Sequence, residues 1–190
     1  MELLEQRILK DGKIRPGGIL KIDGFLNHRI DPALCHEMAL EIKRLFRDSG
    51  MNKVLTIEAS GIALACMAAY ELGCPLVFAK KSKTSNIADD VFAVEIPSYT
   101  HGNVNTVLVS KEYLGKEDRV LIVDDFLATG SALIGLKALV EQAGAEVVGA
   151  AIAVEKEFQG GGNKLRAEGL RVESLAKVAY MDDAGNIRFC

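Results

Sequence analysis

A chain of 190 residues, 49% hydrophobic and 26% charged, has ordinary globular composition and enough length to bury one sizeable core. Its net charge of −3 argues against wholesale nucleic-acid binding, which leaves a basic footprint, so an anionic ligand must be met by local cations. Cys35, Cys66, Cys74 and Cys190 form no CxxC pair, and His28, His36 and His101 are scattered, which argues against zinc sites, a disulfide framework and Ser-His-Asp hydrolysis. The opening Met-Glu-Leu-Leu-Glu-Gln-Arg lacks the apolar core of a signal peptide and no run reaches transmembrane length, so a cytoplasmic protein is expected.

Residues 1–12 read as a short helix, followed by a turn at Arg15-Pro16-Gly17-Gly18 and a strand-like stretch at 19–22. Asp31-Pro32 supplies an N-cap and a first-position proline. Leu34, Met38, Ile42, Leu45 and Phe46 then form the apolar stripe of a helix ending near Gly50. A strand at 54–58, a helix at 61–72 and a strand at 75–79 alternate as in a βαβ unit. Residues 81–90 are polar and aperiodic, and 91–99 and 104–110 read as strands around a turn at 100–103. A strand from 120, a helix through Leu133, Leu136, Leu139 and Val140, and a strand at 147–154 complete a parallel set. Residues 155–190, with Gly160-Gly161-Gly162, read as a tail.

The densest chemistry lies at 120–132, Val-Leu-Ile-Val-Asp-Asp-Phe-Leu-Ala-Thr-Gly-Ser-Ala. Four consecutive apolar residues describe a strand buried on both faces, and ligands bind at the carboxyl ends of such strands. Ala128, Thr129, Gly130, Ser131 and Ala132 then bring small residues, two hydroxyls and free backbone amides to a helix start, which suits a phosphate. Asp124 and Asp125 fit an anionic ligand if it carries a diol, because ionised carboxylates only accept hydrogen bonds and sugar hydroxyls donate them. Adjacent strand residues point to opposite sides, so the two acids divide the work between the sugar and structural or metal support.

This run closely resembles the phosphoribosyl diphosphate (PRPP) signature of the type I phosphoribosyltransferases; the plainer reading is a βα turn of any doubly wound domain. The resemblance implies an α/β fold with a central, mostly parallel sheet flanked by helices, in a single domain spanning 1–190. Its core would cover about 32–155, its hood about 1–30 and 156–190, and a flexible hairpin around 82–110 would close over the site. A second strand-to-helix turn, Ala59-Ser60-Gly61, would hold the diphosphate leaving group, with Lys80 or Lys81 neutralising its charge; a plain turn and a solvated lysine pair are the alternatives, and Lys83 or Lys111 are further candidate cations.

Lys156 and Phe158, in Glu-Lys-Glu-Phe, suit a planar heterocycle, with the ammonium on an exocyclic oxygen and the ring over a face; a surface charge cluster is the rival. Within the family the chain is most similar to purine-salvage enzymes acting on xanthine, through Leu20-Lys-Ile-Asp, Phe25-Leu-Asn-His, Thr56-Ile-Glu-Ala-Ser-Gly-Ile, Val154-Glu-Lys-Glu-Phe-Gln and Arg171-Val-Glu-Ser-Leu-Ala. That likeness implies transfer of a phosphoribosyl group from PRPP to N9 of xanthine. Leu20, Asn27 and Lys156 would then sit on the base, Ala128–Ala132 on the 5′-phosphate, with Mg²⁺ carried by PRPP near Asp124 and Asp125, and a homodimer as the assembly.

From the residues alone, Lys156 as a pure donor selects a 6-oxopurine over adenine. Asn27 leaves xanthine and guanine open, since its amide donates to a 2-oxo group or, flipped, accepts from a 2-amino group. Several 6-oxopurine transferases carry an acid where this chain has Ala128, so no general base is assigned. A guanine/hypoxanthine transferase of the same fold is the nearest alternative. A PRPP-sensing regulator is another, although residues 1–18 are short and mixed in charge for a DNA-binding module.

Overall fold

The computed structural model describes residues 1–81, 90–97 and 104–190; the expected turn at 100–103 with His101, and Lys83, lie outside them. Helix α1 (Glu2–Asp11) buries Leu4 and Ile8 and leads into the antiparallel hairpin β1 (Lys13–Arg15) and β2 (Ile19–Lys21). Gly17 and Gly18 take φ of 85° and 72° at its turn, a left-handed backbone that suits residues without a Cβ. A π-helical turn, Asp23–Asn27, follows and buries Phe25 and Leu26. Neither β1 nor this turn was foreseen; at three and five residues they are too short to show a period.

Helix α2 (Pro32–Phe46) starts as expected, with the Asp31 side chain accepting from the Leu34 amide at 3.2 Å and proline in its first turn. Strand β3 (Lys53–Ile57), helix α3 (Ile62–Leu72) and strand β4 (Leu76–Ala79) make the expected βαβ unit, β3 pairing parallel to β4. Strands β5 (Val91–Pro97) and β6 (Val104–Ser110) form a separate antiparallel hairpin, joined to the end of β4 by reciprocal Lys80–Leu108 backbone bonds of 2.9 Å.

Strand β7 (Arg119–Leu127) carries both acids, and helix α4 (Ser131–Gln142) and strand β8 (Glu146–Lys156) follow. The segment expected to be a tail is ordered secondary structure, which corrects that reading. It holds a short 3₁₀ turn at Glu157–Gln159, helix α5 (Gly161–Ala167), strand β9 (Val172–Met181) and strand β10 (Ile187–Phe189). β9 pairs parallel to β8 and β10 antiparallel to β9, so the segment extends the central sheet to the order β10-β9-β8-β7-β3-β4. Its strands escaped the sequence reading because β9 alternates imperfectly and β10 is only three residues long.

Helices cover both faces, and β7 shows why its apolar run is unbroken. Val120 and Ile122 pack with Leu133, Leu136, Leu139 and Val140 of α4 on one side. Leu121 and Val123 pack with Met38 and Ile42 of α2, Leu64 and Ala68 of α3, and Phe25 and Leu26 of the N-terminal turn on the other. Residues that finish this strand are thereby handed to two different environments.

Candidate functional site

Asp124 continues the row of Val120 and Ile122, and Asp125 that of Leu121 and Val123. Each is only 5% exposed. Asp124 Oδ1 accepts the Asp125 amide at 3.0 Å and lies beside the turn that follows β3; Asp125 Oδ2 accepts from Asn27 Nδ2, at the end of the π-helical turn. The contacts thus divide as the strand geometry predicts. Burial, and then the charge of Asp125, hold the Asp124 carboxyl well above the usual range, while Lys81 acts in the opposite direction.

Beyond β7, Ala128, Thr129 and Gly130 form a tight loop into α4. Gly130 has φ 91° and ψ 0°, and no side chain caps the helix, so the first amides of α4 are open to a ligand. Thr129 Oγ1 and Ser131 Oγ stand 3.2 Å apart at the mouth. The loop rests on Gly161, whose amide donates to the Ala128 carbonyl at 3.2 Å. A Cβ at Gly161 would lie 2.3 Å from the Ala128 carbonyl oxygen and 2.6 Å from the Gly130 nitrogen, so two stretches of backbone touch with no room for a side chain. A Cβ on the neighbouring Gly162 would lie 1.9 Å from Glu155 Oε1.

Glu155 anchors this arrangement. It is fully buried, holds Arg166 in a two-pronged pair at 2.8 and 2.6 Å, and accepts from Ser174 Oγ. Burial works to raise its pKa, but the Arg166 and Ser174 hydrogen bonds outweigh it and hold the carboxyl below the ordinary value. Residues 155–166 therefore form the back wall of the Ala128–Ala132 loop. Sequence reading noticed the glycine tract and Glu155 but had no means of placing them behind that loop.

On the other side, the turn Glu58–Gly61 closes on β7. It carries a cis peptide between Glu58 and Ala59. Gly61 is a position of close approach: a Cβ there would lie 2.3 Å from Thr56 Oγ1 and 2.7 Å from Asp124 Oδ1. Glu58 Oε1 accepts the Lys81 amide at 2.7 Å, tying the end of β4 to this turn. Glu58, Ser60, Lys81, Asn105, Asp124, Asp125 and Ala132 line a cavity of about 210 Å³ with Ile57, Ile96 and Val107. The two candidate lysines separate here: Lys81 lines the cavity, whereas Lys80 lies 6.0 Å from the Phe78 ring centroid and lines a groove outside β4. Lys111, the further candidate, pairs with Asp90 at 2.6 Å instead.

Of the residues expected on a base, Asn27 meets Asp125, and Lys156 stands near Phe126, the next residue of β7. Lys156, at the end of β8, is half-buried; its Nζ donates to the Gly18 carbonyl at 2.9 Å and stands 5.7 Å from the Phe126 ring centroid. Burial pushes its pKa below the ordinary lysine value. Leu20 is buried in the same hairpin that supplies Gly18, and Asn27 donates to Asp125. Phe158, on the 3₁₀ turn, is 44% exposed. The uncapped start of α4, the two buried acids, the cavity lined by Lys81 and the half-buried Lys156 ammonium thus share one end of the sheet.

A model of the phosphoribosyl transferase domain matches residues 30–165. The chain is 47% identical over 189 residues to a xanthine phosphoribosyltransferase of Bacillus cereus, covering 100% of this chain and 95% of that protein. A Bacillus anthracis xanthine phosphoribosyltransferase matches at 47% over 183 residues, 96% and 93% of the two chains. Among solved structures, adenine phosphoribosyltransferase of Trypanosoma brucei superposes with a TM-score of 0.80 at 20% identity, covering 96% of this chain and 82% of that one. The Giardia lamblia enzyme gives 0.79 at 24%, covering 93% and 98%; at these identities the likeness is one of fold. A matching domain model laid over the strand, loop and helix that carry the site, together with full-length relatives at 47% identity, places this chain in the phosphoribosyltransferase family.

Proposed function

We propose that the protein transfers the 5-phosphoribosyl group of PRPP to N9 of xanthine, releasing diphosphate and xanthosine 5′-monophosphate, as a single catalytic domain of a cytoplasmic homodimer. The observation that carries this reading is the uncapped start of α4 set beside two buried acids, with a half-buried lysine at the end of the neighbouring strand β8. The amides of Ala128–Ala132 hold the 5′-phosphate against the glycine wall, Asp125 Oδ1 accepts from a ribose hydroxyl, and Asp124 supports the turn beneath the leaving group. Ala59, Ser60, Gly61 and Lys81 receive diphosphate, and Lys80 stands behind them.

The bond from C1′ to the diphosphate oxygen lengthens before the bond to N9 forms, so positive charge develops on the ribose close to the two carboxylates. Lys156 donates to the 6-oxo group of the base, Leu20 gives it an apolar contact, and Phe158 stands ready to cover a ring face. A 6-amino group in that place would meet a donor with a donor, which disfavours adenine.

The site also fits Mg²⁺ brought by PRPP. Among the described residues no three acids, histidines or cysteines group as a metal cage, but Mg²⁺ uses one or two carboxylates with substrate oxygens and water. Asp124 and Asp125 supply such a pair, since both line the cavity beside the turn after β3. When bound, the ion screens the charge of the departing diphosphate.

The test supplies PRPP and Mg²⁺ with xanthine, guanine, hypoxanthine, adenine or orotate and follows diphosphate release. Xanthine should give the highest kcat/KM. Preference for guanine or hypoxanthine would move the assignment to that branch, and release with none would leave a PRPP-binding regulator. The homodimer, supported by family resemblance, is checked by sedimentation.

A further inference from the structure

The hairpin of β5 and β6 turns one face to the core. Phe92 pairs opposite Val109, Val94 opposite Val107 and Ile96 opposite Asn105, and residues directly opposite in an antiparallel pair share a face. Ile96, Val107 and Val109 are buried, and Phe92 and Val94 pack against the same cluster. Asn105 is the one polar side chain in these two rows. Ile96, its opposite neighbour, is only 7% exposed, so the polarity changes before the face has run off the core. What changes is the surroundings: Asn105 is exposed and lines the cavity of about 210 Å³ together with Ser60, Lys81, Asp124 and Asp125.

The strands that carry Asn105 are held at several points. A Cβ on Gly135 of α4 would lie 2.1 Å from Ile96 Cδ1, so Ile96 occupies the space that glycine leaves. Gln142 Nε2, in the last turn of α4, donates to the Ala93 carbonyl at 3.1 Å, and the reciprocal Lys80–Leu108 bonds fasten β6 to the end of β4. We propose that Asn105 is a further substrate-contacting residue of the phosphoribosyl transfer, its Nδ2 donating to an oxygen of the diphosphate leaving group alongside Lys81 and Ser60. This rests on the placement of diphosphate in that cavity given under Proposed function. The amide turns its NH₂ end to the ligand because its carbonyl would set lone pairs against a polyanion. Glu58, Asp124 and Asp125 face the cavity with the single ammonium of Lys81 among the described lining residues, so donors are scarce there. As the bond from C1′ breaks, its electron pair stays on the diphosphate oxygen, and a fixed N–H gains strength as that charge grows.

The test measures kcat/KM for PRPP and, by calorimetry, the affinities for diphosphate with Mg²⁺ and for xanthosine 5′-monophosphate. Asn105→Ala removes the donor at an exposed position, where substitution leaves the fold intact. It should lower both kcat/KM for PRPP and the diphosphate affinity by about tenfold to a hundredfold. Asn105→Asp keeps the shape but puts a charged acceptor in place of the donor, and should lose more than Asn105→Ala on both. Thr106→Ala, exposed on the outer face opposite Glu95, should match wild type. Xanthosine monophosphate carries no diphosphate, and its affinity should be the same in every variant. If Asn105→Ala keeps the wild-type kcat/KM for PRPP and diphosphate affinity, or if Asn105→Asp outperforms it, this inference is overturned. If the monophosphate affinity falls in step with that for diphosphate, Asn105 acts through the shape of the hairpin and the inference is likewise overturned. A wild type that releases no diphosphate with any base refutes the proposed function instead, and the diphosphate titrations still decide the role of Asn105.

Discussion

Replacing Gly161 with alanine tests the idea that the loop after β7 is seated on the C-terminal segment. The backbone of Gly161 is outside the left-handed region, so alanine carries no conformational penalty there; what it lacks is space. Its Cβ would stand 2.3 Å from the Ala128 carbonyl oxygen, 2.4 Å from the Thr129 carbonyl carbon and 2.6 Å from the Gly130 nitrogen, where ordinary contact begins at 3.4 Å. All three atoms are backbone, so no rotamer relieves the clash and the loop must retreat by roughly 1 Å, a displacement that costs on the order of 100-fold when it misplaces a reacting group. The overpacking itself costs about 1–3 kcal/mol, a fraction of the roughly 5–15 kcal/mol of a typical domain, so the variant still folds. The expected result is a fall of about 100-fold in kcat/KM for PRPP, read from diphosphate release, with a modest drop in the urea midpoint. Gly115→Ala, where an added Cβ meets nothing within 4 Å, serves as the control and should match wild type in both. If Gly161→Ala lowers the midpoint as expected but leaves kcat/KM for PRPP unchanged, the loop is not the seat of the phosphate.

Three further outcomes follow from the same geometry. Burial, then the charge of Asp125, raise the Asp124 carboxyl above its ordinary 3.8, so the native state holds that proton more tightly than the unfolded chain and wild type loses stability as pH rises from 3.8 through the raised native value. Asp124→Asn is free of this loss, and its stability advantage in urea titrations should be absent below pH 3.8 and grow towards neutral; an advantage that shrinks with rising pH contradicts the assignment. Glu155→Ala strands Arg166, which is partly exposed, and should cost about 3 kcal/mol of unfolding free energy; a loss under about 1 kcal/mol would mean the pair is not holding the back wall. Lys81→Ala should lower kcat/KM for PRPP by about tenfold or more, whereas Lys80→Ala, facing the outer groove, should stay within about threefold of wild type. Equal losses would put both ammonium groups on the diphosphate.

Local sequence determined a good part of this molecule. The α2 stripe with its Asp31-Pro32 start, the βαβ unit and the signature strand are short-range patterns, each a repeat of apolar residues bounded by a cap or a turn, and they appear where the periodicity puts them. The tight loop into α4 was legible for the same reason, since a helix start and small residues are adjacent in the chain. The opposed contacts of Asp124 and Asp125 follow from the two-residue repeat of a strand.

What needed the tertiary structure is whatever depends on partners distant in sequence. β9 and β10 are stabilised by pairing with β8 and with each other, and residues 155–190 carry too weak a pattern to announce them alone. The glycines at 161 and 162 show that space is missing only once Ala128 and Glu155 are beside them. Lys80 and Lys81 are identical as letters, and the end of β4, bonded to Leu108 on one residue and to Glu58 on the next, is what sends one outward and the other into the cavity. Asn27 reads two ways by itself, because an amide is nearly symmetric in shape and opposite in hydrogen bonding at its two ends. Only the meeting with Asp125, across 98 residues of chain, decides which end faces it.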